Sequence, residues 1–133
     1  MVYYMHSGIY SMAGEYPRRR RLSMMEDKYQ QVSDLFHLLS HPPRLRILDE
    51  LRRDEACVCH LQAVLGRPQA YVSQQLRLLR EADVVTDRKD GLFVFYRLAD
   101  RQVERLLEEV LGPAGERTVP DDCPCPRCAS SPH

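Results

Sequence analysis

The chain has 133 residues, of which 19 are Lys or Arg and 19 are Asp or Glu, so its formal net charge is zero. Hydrophobic residues make up 44% of the chain, which predicts a folded domain with one core and excludes a disordered protein. No apolar run approaches the roughly 18 residues that span a bilayer, which excludes a membrane-spanning protein. Zero net charge, taken alone, argues against a nucleic-acid-binding domain, because such domains are expected to be basic.

The two ends of the chain differ in composition from its middle. Residues 1–25 mix Gly, Ser, Tyr and Met without a period and include the run Arg18–Arg21. This composition predicts a flexible N-terminal extension that is solvated or contacts DNA phosphate. Residues 112–133 are rich in Pro and contain three Cys, which predicts an irregular C-terminal tail. The segment over 26–111 is therefore expected to form the folded domain.

Apolar residues at helical spacing predict four helices in the first part of this domain. Two breaks separate some of these helices. The segment Ser40–Pro43 contains prolines that favour a helix start, and the segment Gly66–Pro68 is predicted to form a short turn. The predicted helices cover about 26–40, 42–53, 57–65 and 69–82.

A β-hairpin and one more helix follow. Two β-rich runs within Val84–Leu98 flank the segment Arg88–Gly91, and the Asp-Gly pair in that segment is a strong hairpin signal. Apolar residues over 100–111 recur at i, i+3, i+4, i+7 and i+8, which predicts an amphipathic helix. The predicted fold class is therefore mainly α with a β-hairpin wing, arranged as a winged helix-turn-helix.

The helix over 69–82 has one apolar face and one polar face. The polar face carries Gln, Ser and Arg instead of the Glu–Lys pairs of an ordinary solvated helix. Gln offers a donor and an acceptor that suit adenine, and Arg reads guanine or phosphate, while basic residues on the hairpin are placed for phosphate contacts. We therefore predict that double-stranded DNA is bound by Gln69, Ser73, Gln74, Arg77, Arg80, Arg88 and Lys89.

Three motifs occur in order along the domain. They are Ser40-x-Pro42-x-Arg44-x-x-Ile47-Leu48, Val72-Ser73-x-Gln75-Leu76 and Arg88-Lys89-x-Gly91-x-x-x-x-Tyr96-x-Leu98. Together they resemble the ArsR/SmtB metalloregulatory repressors over about residues 26–111. The resemblance implies a homodimeric winged-helix repressor, not an enzyme, that binds operator DNA and leaves it when a metal binds. It also implies that the terminal helices pair across the dimer.

The five cysteines fall into two groups. Cys57 and Cys59 lie mid-chain, whereas Cys123, Cys125 and Cys128 lie within the last eleven residues. An odd count and Cys-x-Cys spacing suit a disulfide framework poorly, and the N-terminus lacks the apolar segment of a secretory signal. We therefore expect a cytoplasmic protein whose reduced thiols bind metal, with no organic cofactor.

The segment Cys57-Val58-Cys59 is similar to the Cys-Val-Cys box of the arsenite and cadmium/lead sensors of this family. Two thiolates select soft ions, so we expect As(III) or Sb(III) as the inducer. Cd(II), Pb(II) or Zn(II), or oxidation of the thiols without metal, are the alternatives. The start of a helix is expected to lower the thiol pKa. Because residues two apart in a helix point about 200° away from each other, we expect one ion to reach both sulfurs only by distorting the first turn of the 57–65 helix.

Three tail cysteines are candidates for the remaining ligands. Their prolines predict an extended, exposed segment in which Cys123, Cys125 and Cys128 are available. These thiols either close a site on Cys57 and Cys59, within the subunit or across the dimer, or form a separate trithiolate site, and both arrangements stay open.

Other positions limit the choice of site. His60 lies one helical turn from Cys57 and is expected to be exposed rather than a ligand. The family's other sensor site needs Asp-x-His on the last helix, and Gln102 follows Asp100 where that His is required, so this zinc site is expected to be absent. A metal carrier or an enzyme built on the tail cysteines is the alternative from another functional class.

Overall fold

A computed structural model of the chain describes residues 23–121 and 123–129. The chain divides into two units, residues 1–37 and 38–133. The flexible extension predicted over 1–25, with its Arg18–Arg21 run, lies almost entirely outside the described residues. Across the described ranges, none of the helices has both the length and the apolar character needed to cross a membrane.

The first helix, α1, covers Ser23–Leu39 and begins three residues before its predicted start. Most of it belongs to the first unit, where the aromatic side chains of Tyr29 and Phe36 are exposed. Their spacing of seven residues puts both on one side of the helix. The helix therefore carries an exposed aromatic face.

Three helices form the core of the second unit: α2 over Pro42–Leu51, α3 over Val58–Leu65 and α4 over Gln69–Glu81. Prolines occupy the first two positions of α2, where no intrahelical N–H donor is needed. Gly66 ends α3 with a left-handed φ of 66°, which a glycine adopts without steric cost. The buried side chains that these helices share are Ile47, Leu48, Leu51, Leu61, Val72, Leu76 and Leu79.

A three-stranded antiparallel sheet lies beside these helices, with β1 over Ala56–Cys57, β2 over Val85–Asp90 and β3 over Phe93–Leu98 in the order β1-β3-β2. The prediction that Arg88–Gly91 connects the hairpin is wrong, because Arg88, Lys89 and Asp90 belong to β2. Asp90 pairs with Phe93, which leaves a two-residue turn. Gly91 has a φ of 62° at the first position of this turn, as a type II′ turn requires.

The last predicted helix forms as α5 over Arg101–Leu111. Asp100 caps it, because its carboxylate accepts hydrogen bonds from the backbone N–H groups of Gln102 at 2.8 Å and Val103 at 3.2 Å. The apolar stripe divides along the helix, since Val103 is buried whereas Val110 and Leu111 are exposed.

The tail after α5 packs against the rest of the second unit. Arg52, at the end of α2, donates to the carbonyl oxygen of Gly112 at 2.8 Å, and a four-residue helix, α6, forms over Pro126–Ala129. The prediction of exposed tail cysteines is wrong, because the three side chains retain 8%, 0% and 1% of their accessible surface, in the order Cys123, Cys125 and Cys128. Packing against Phe95 and Cys57 supplies the apolar cover that proline content alone does not reveal.

Candidate functional site

Helix α4 presents the polar face that the sequence predicted. Gln69, Gln74, Arg77 and Arg80 are exposed, and Ser73 is half-buried. The opposite face of the helix is in the core. The DNA-reading candidates on this helix therefore lie where a ligand can reach them.

Gln75 faces the other way from its neighbour Gln74. It is buried, and its Oε1 accepts a hydrogen bond of 2.7 Å from Nε of Arg44 on α2. Arg44 also donates to the carbonyl oxygen of Leu38 at 3.2 Å. This polar link fixes α4 against α2, so the orientation of the reading face depends on it.

The two predicted wing residues differ in their surroundings. Both are exposed on β2. Arg88, however, makes a two-pronged contact with the carboxylate of Glu55, with Nε to Oε1 at 3.0 Å and an Nη to Oε2 at 2.5 Å. On the same strand, Asp87 accepts from Arg80 at 2.8 Å. Two of the predicted DNA contacts are therefore engaged by carboxylates in this structure.

A basic cleft beside the start of α4 was not among the predicted site residues. Its volume is about 190 Å³, and its lining includes Arg46 and Arg67. The guanidinium of Arg67 also stands 4.5 Å from the ring centroid of Tyr71, and burial together with Arg44 and Arg67 lowers the pKa of His41. The sequence offered one sign of this cleft, because Arg67 lies in the turn directly before α4.

Cys57 lies in β1 and caps α3 rather than belonging to that helix. Its backbone is extended, with φ −86° and ψ 170°. Because of this conformation, its Sγ lies 2.8 Å from Sγ of Cys59, one residue inside the helix. The expectation that the two sulfurs diverge is wrong, and an ion that approaches both does not need to unwind α3.

Four sulfur atoms form the densest cluster of possible metal ligands among the described residues. They all lie within 4.8 Å of one another, and each parent residue is buried. Phe95, which pairs with Cys57 across the sheet, packs on the same group. We call these residues the cysteine cluster; its members are Cys57, Cys123, Cys125 and Cys128.

Cys59 is joined to this cluster through a disulfide with Cys123. Cys57 is adjacent to the bond, with its Sγ 3.4 Å from Sγ of Cys123. The other thiols are free. Cys123 therefore has two exclusive uses: it is either half of a disulfide or a thiolate ligand.

The thiols of the cysteine cluster have shifted acidities. Burial raises the pKa of Cys57 to about 12, so the expectation of a lowered pKa at the helix start is wrong for this residue. Burial also raises the pKa of Cys128, against the effect of Arg117. Burial opposes ionisation of Cys125 too, but hydrogen bonds from the backbone of Cys128 and from neighbouring thiols lower its pKa. Desolvation thus keeps the thiols of Cys57 and Cys128 protonated until an ion or an oxidant removes the protons.

His60 connects the cysteine cluster to α2. The expectation that it is exposed is wrong, because it is fully buried between the tail and α2. Its Nε2 pairs with Oε2 of Glu50 at 2.9 Å, and its Nδ1 lies 3.4 Å from Sγ of Cys128. Glu50 also accepts from the backbone N–H of Thr118 at 3.2 Å. The charge of Glu50 and the fixed orientation of the imidazole hold the tail on the domain.

Two acidic residues just before Cys57 bind arginines of the tail. Asp54 is paired with Arg127, and it lies 3.8 Å from Nε of Arg117. Glu55 is 3.4 Å from Arg127 as well as in contact with Arg88. The contacts with the tail arginines span more than 60 residues of sequence, which is why the sequence alone did not reveal them.

Comparison with known proteins identifies the family. Residues 41–87, from the start of α2 into β2, match the family model described as "Bacterial regulatory protein, arsR family". A "Biofilm growth-associated repressor" from Agrobacterium fabrum is 40% identical over 95 residues, which is 71% of this chain and 78% of that protein. The chain belongs to the ArsR/SmtB family.

Further similarities agree with this ArsR/SmtB assignment. A "Transcriptional repressor SmtB homolog" from Synechocystis is 42% identical over 87 residues, which cover 65% of this chain and 66% of that protein's length. The solved structure of reduced HlyU from Vibrio cholerae has a TM-score of 0.61 and 32% identity, and the match covers 67% of this chain and 97% of HlyU. The winged-helix fold predicted from the order of the helices and the hairpin is confirmed, and the similar proteins of the ArsR/SmtB family are transcription regulators rather than enzymes.

Proposed function

We propose that this ArsR/SmtB-family chain is a dimeric repressor that binds operator DNA and releases it when a soft metal ion binds the cysteine cluster. The observation that carries the proposal is the convergence of four buried sulfurs, one of which directly precedes α3. Helix α3 is joined to α4 by a three-residue turn over 66–68, so a change at Cys57 reaches the reading helix through one short element.

The exposed side chains of α4 and β2 support the DNA-binding part of the proposal. Gln69, Gln74 and Arg77 provide base-edge donors and acceptors, and Lys89 provides a phosphate contact at the hairpin. The cleft that contains Arg46 and Arg67 adds positive charge beside the start of α4. Basic residues concentrate on this surface although the whole chain is neutral.

The dimer is supported by apolar surface at both ends of the described domain. Tyr29 and Phe36 are exposed on α1, and Val110 and Leu111 are exposed on α5. Exposed apolar surface on helices is typical of an interface with another chain. A reducing cytoplasm is the compartment that keeps metal-binding thiols free.

For the reduced protein, in which Cys123 is a free thiol, a tetrahedral divalent ion is the first candidate. Four thiolates at Zn–S distances of about 2.3 Å stand about 3.8 Å apart, and the four sulfurs of the cluster fit within that range after small adjustments. Cd(II) and Zn(II) suit such a site, whereas As(III) and Sb(III) need only three thiolates, which Cys57, Cys125 and Cys128 offer when Cys123 is in the disulfide. The sequence-based choice of As(III) or Sb(III) thus remains one outcome of the test.

A titration of DNA binding tests this function. DNA selected by the reduced protein from a random pool is labelled, and its release is followed by fluorescence anisotropy during addition of Cd(II), Zn(II), Pb(II), arsenite or antimonite. We expect Cd(II) to release the DNA from the wild-type chain but not from a variant with Ser at Cys123, Cys125 and Cys128. Retention of DNA with every ion would contradict metal sensing and leave DNA binding intact.

A thiol-redox repressor is the second candidate, and the disulfide between Cys59 and Cys123 favours it. Peroxide oxidises two thiols to one disulfide and is itself reduced to two molecules of water, which take up the two thiol protons. We expect peroxide in chelated buffer to release DNA from wild type and not from the Cys59→Ser variant, if redox rather than metal is the signal. Release by Cd(II) together with insensitivity to peroxide would decide for the metal.

A further inference from the structure

Arg88 is bound by residues that also belong to the surroundings of the cysteine cluster. Its guanidinium makes the two-pronged contact with Glu55 and stands 4.8 Å from the ring centroid of Phe95. Bidentate arginine–carboxylate pairs are among the stronger polar contacts, and stacking on an aromatic ring adds to them. Arg88 is thus held against the sheet within strand β2.

Two partners of Arg88, Glu55 and Phe95, are attached to the cluster, whereas a third, the carboxylate of Asp90 at 3.5 Å, lies on β2 itself. Phe95 pairs with Cys57 in the sheet and packs on the tail cysteines. Glu55 lies two residues before Cys57, and its carboxylate also lies 3.4 Å from Arg127, whose neighbour in sequence is Cys128. Its side chain keeps only 14% of its accessible surface. The tail therefore holds Glu55 in the position from which it binds Arg88.

We infer that Glu55 is a positioning residue that withholds Arg88 from DNA phosphate while the cysteine cluster is closed and the tail is docked. This inference deepens the proposed function and rests on it. When the tail leaves, Glu55 loses Arg127 and is exposed to water. Exposed ion pairs contribute little, so a phosphate then competes successfully for Arg88. Closure of the cluster thus removes a DNA contact without any movement of α4.

The pair between Arg80 and Asp87 provides an internal comparison. It joins α4 to β2 at 2.8 Å, and among the described residues neither side chain has a hydrogen bond or ion pair with a member of the cysteine cluster. The two carboxylates, Asp87 and Glu55, each engage one predicted DNA-binding arginine. Only the pair at Glu55 is expected to respond to the cluster.

The test uses the full chain, reduced, with and without Cd(II), and a labelled mixed-sequence DNA duplex. Binding is measured by anisotropy over a series of salt concentrations for wild type, Glu55→Gln, Arg88→Ala and the double variant. In the Cd(II)-loaded protein, we expect Glu55→Gln to tighten binding about three- to tenfold and to steepen the salt dependence by about 0.9 per protomer, the value for one phosphate contact. The same substitution in the Arg88→Ala background is expected to change neither quantity.

Two controls separate this effect from net charge and from misfolding. Asp87→Asn adds the same unit of charge, and its effect is expected to persist in the Arg88→Ala background and to be equal with and without Cd(II). Glu55→Asp keeps the charge but shortens the side chain, so it is expected to act in the same direction as Glu55→Gln.

The outcomes distinguish this inference from the proposed function. Equal tightening by Glu55→Gln in the presence and absence of Arg88 would overturn the inference, even if Cd(II) releases DNA from every variant. An Arg88-dependent effect in a chain whose DNA binding ignores Cd(II) would support the pairing and contradict metal sensing. Absence of DNA binding by all variants would contradict both.

Discussion

Cys57 and Cys59 have different surroundings although only Val58 separates them. Sγ of Cys57 belongs to the four-sulfur group, whereas Cys59 lies outside that group, bonded to Cys123 and 2.8 Å from Sγ of Cys57. We therefore predict that Cys57→Ser weakens Cd(II) binding by more than the roughly 10–100-fold that loss of an outer contact costs. Cys59→Ser is expected to stay within about tenfold of wild type. Competition with a chromophoric chelator measures both affinities, and equal losses would contradict the assignment.

Glu50 contributes a charge to the interior of the domain. Burial opposes its ionisation, but the hydrogen bond from His60 and the backbone N–H of Thr118 lower its pKa overall. A lowered pKa stabilises the fold above the unfolded-state pKa, and this contribution is lost as the pH falls through the folded-state value.

Glu50→Gln is therefore predicted to reduce the free energy of unfolding by about 1–3 kcal/mol near neutral pH, because His60 loses its charged partner. The difference from wild type is expected to disappear below the pKa of Glu50, since both side chains are then neutral. Urea unfolding followed by circular dichroism across the acid range measures this. A difference that is independent of pH would show that the charge of Glu50 is not the cause.

Helix α4 combines the proposed DNA-reading face and a packing face in adjacent residues. Gln74 is exposed, and Gln75 is buried against Arg44. We predict that Gln74→Ala weakens DNA binding by about 1–3 kcal/mol and leaves stability unchanged, since a base contact is worth that amount. Gln75→Ala is the matched control and is expected to lower the free energy of unfolding by about 1.5–3 kcal/mol. Fluorescence anisotropy measures DNA binding and urea unfolding measures stability for both variants. Loss of stability in Gln74→Ala together with loss of DNA binding alone in Gln75→Ala would contradict the division of faces.

The long elements could be predicted from the sequence because each has its own repeating pattern. The apolar spacing of α4 and α5 predicts both helices within about one residue of their observed ends. Strand β1 was not predicted, since two residues are too few to show alternation and their pairing with β3 is a tertiary contact. The hairpin itself was predicted, but its turn was placed too early because Arg88–Asp90 are polar residues in a solvent-exposed strand.

The candidate site could be predicted in its residue types but not in its contacts. Cys57 and the tail cysteines are recognisable from composition, whereas their convergence needs a tail that returns across some 66 residues. The burial of His60 and the pairing of Arg88 with Glu55 have the same origin. In each case a long-range partner, absent from the local pattern, decides the environment.

Sulfur contacts and ion pairs attach the tail to the rest of the molecule. We predict that removal of residues 122–133 leaves DNA affinity within about threefold of wild type in low salt, because α4 and β2 are retained. Release by Cd(II) is expected to be lost, because Cys123, Cys125 and Cys128 are absent. Anisotropy with and without Cd(II) measures both quantities, and the triple Ser variant at these cysteines controls for loss of tail packing. Cd(II)-dependent release by the shortened chain would contradict the role of the tail.

The neutral total charge conceals a difference between arginines that are paired with carboxylates and arginines that are exposed on the proposed DNA-binding surface. Arginines just after α2 and in the tail neutralise carboxylates within the domain, as in the contacts of Arg53 with Asp49 and of Arg127 with Asp54. The surface of α4 and the basic cleft beside it keep cations such as Arg77 and Arg67 exposed. Charge balance over the whole chain therefore says little about the surface that meets DNA.

The order of the sites along the chain has a genetic consequence. Every predicted DNA contact precedes Leu111, whereas three of the four clustered sulfurs follow it. A stop codon between Leu111 and Cys123 is expected to yield a subunit that still binds the operator but no longer binds the inducing metal ion. Because the proposed repressor is a dimer, such subunits are expected to enter mixed dimers in a cell that carries both alleles, and the shortened allele is expected to be dominant over the full-length one. A reporter that stays repressed in Cd(II) when both alleles are expressed would verify this, and full induction would refute it.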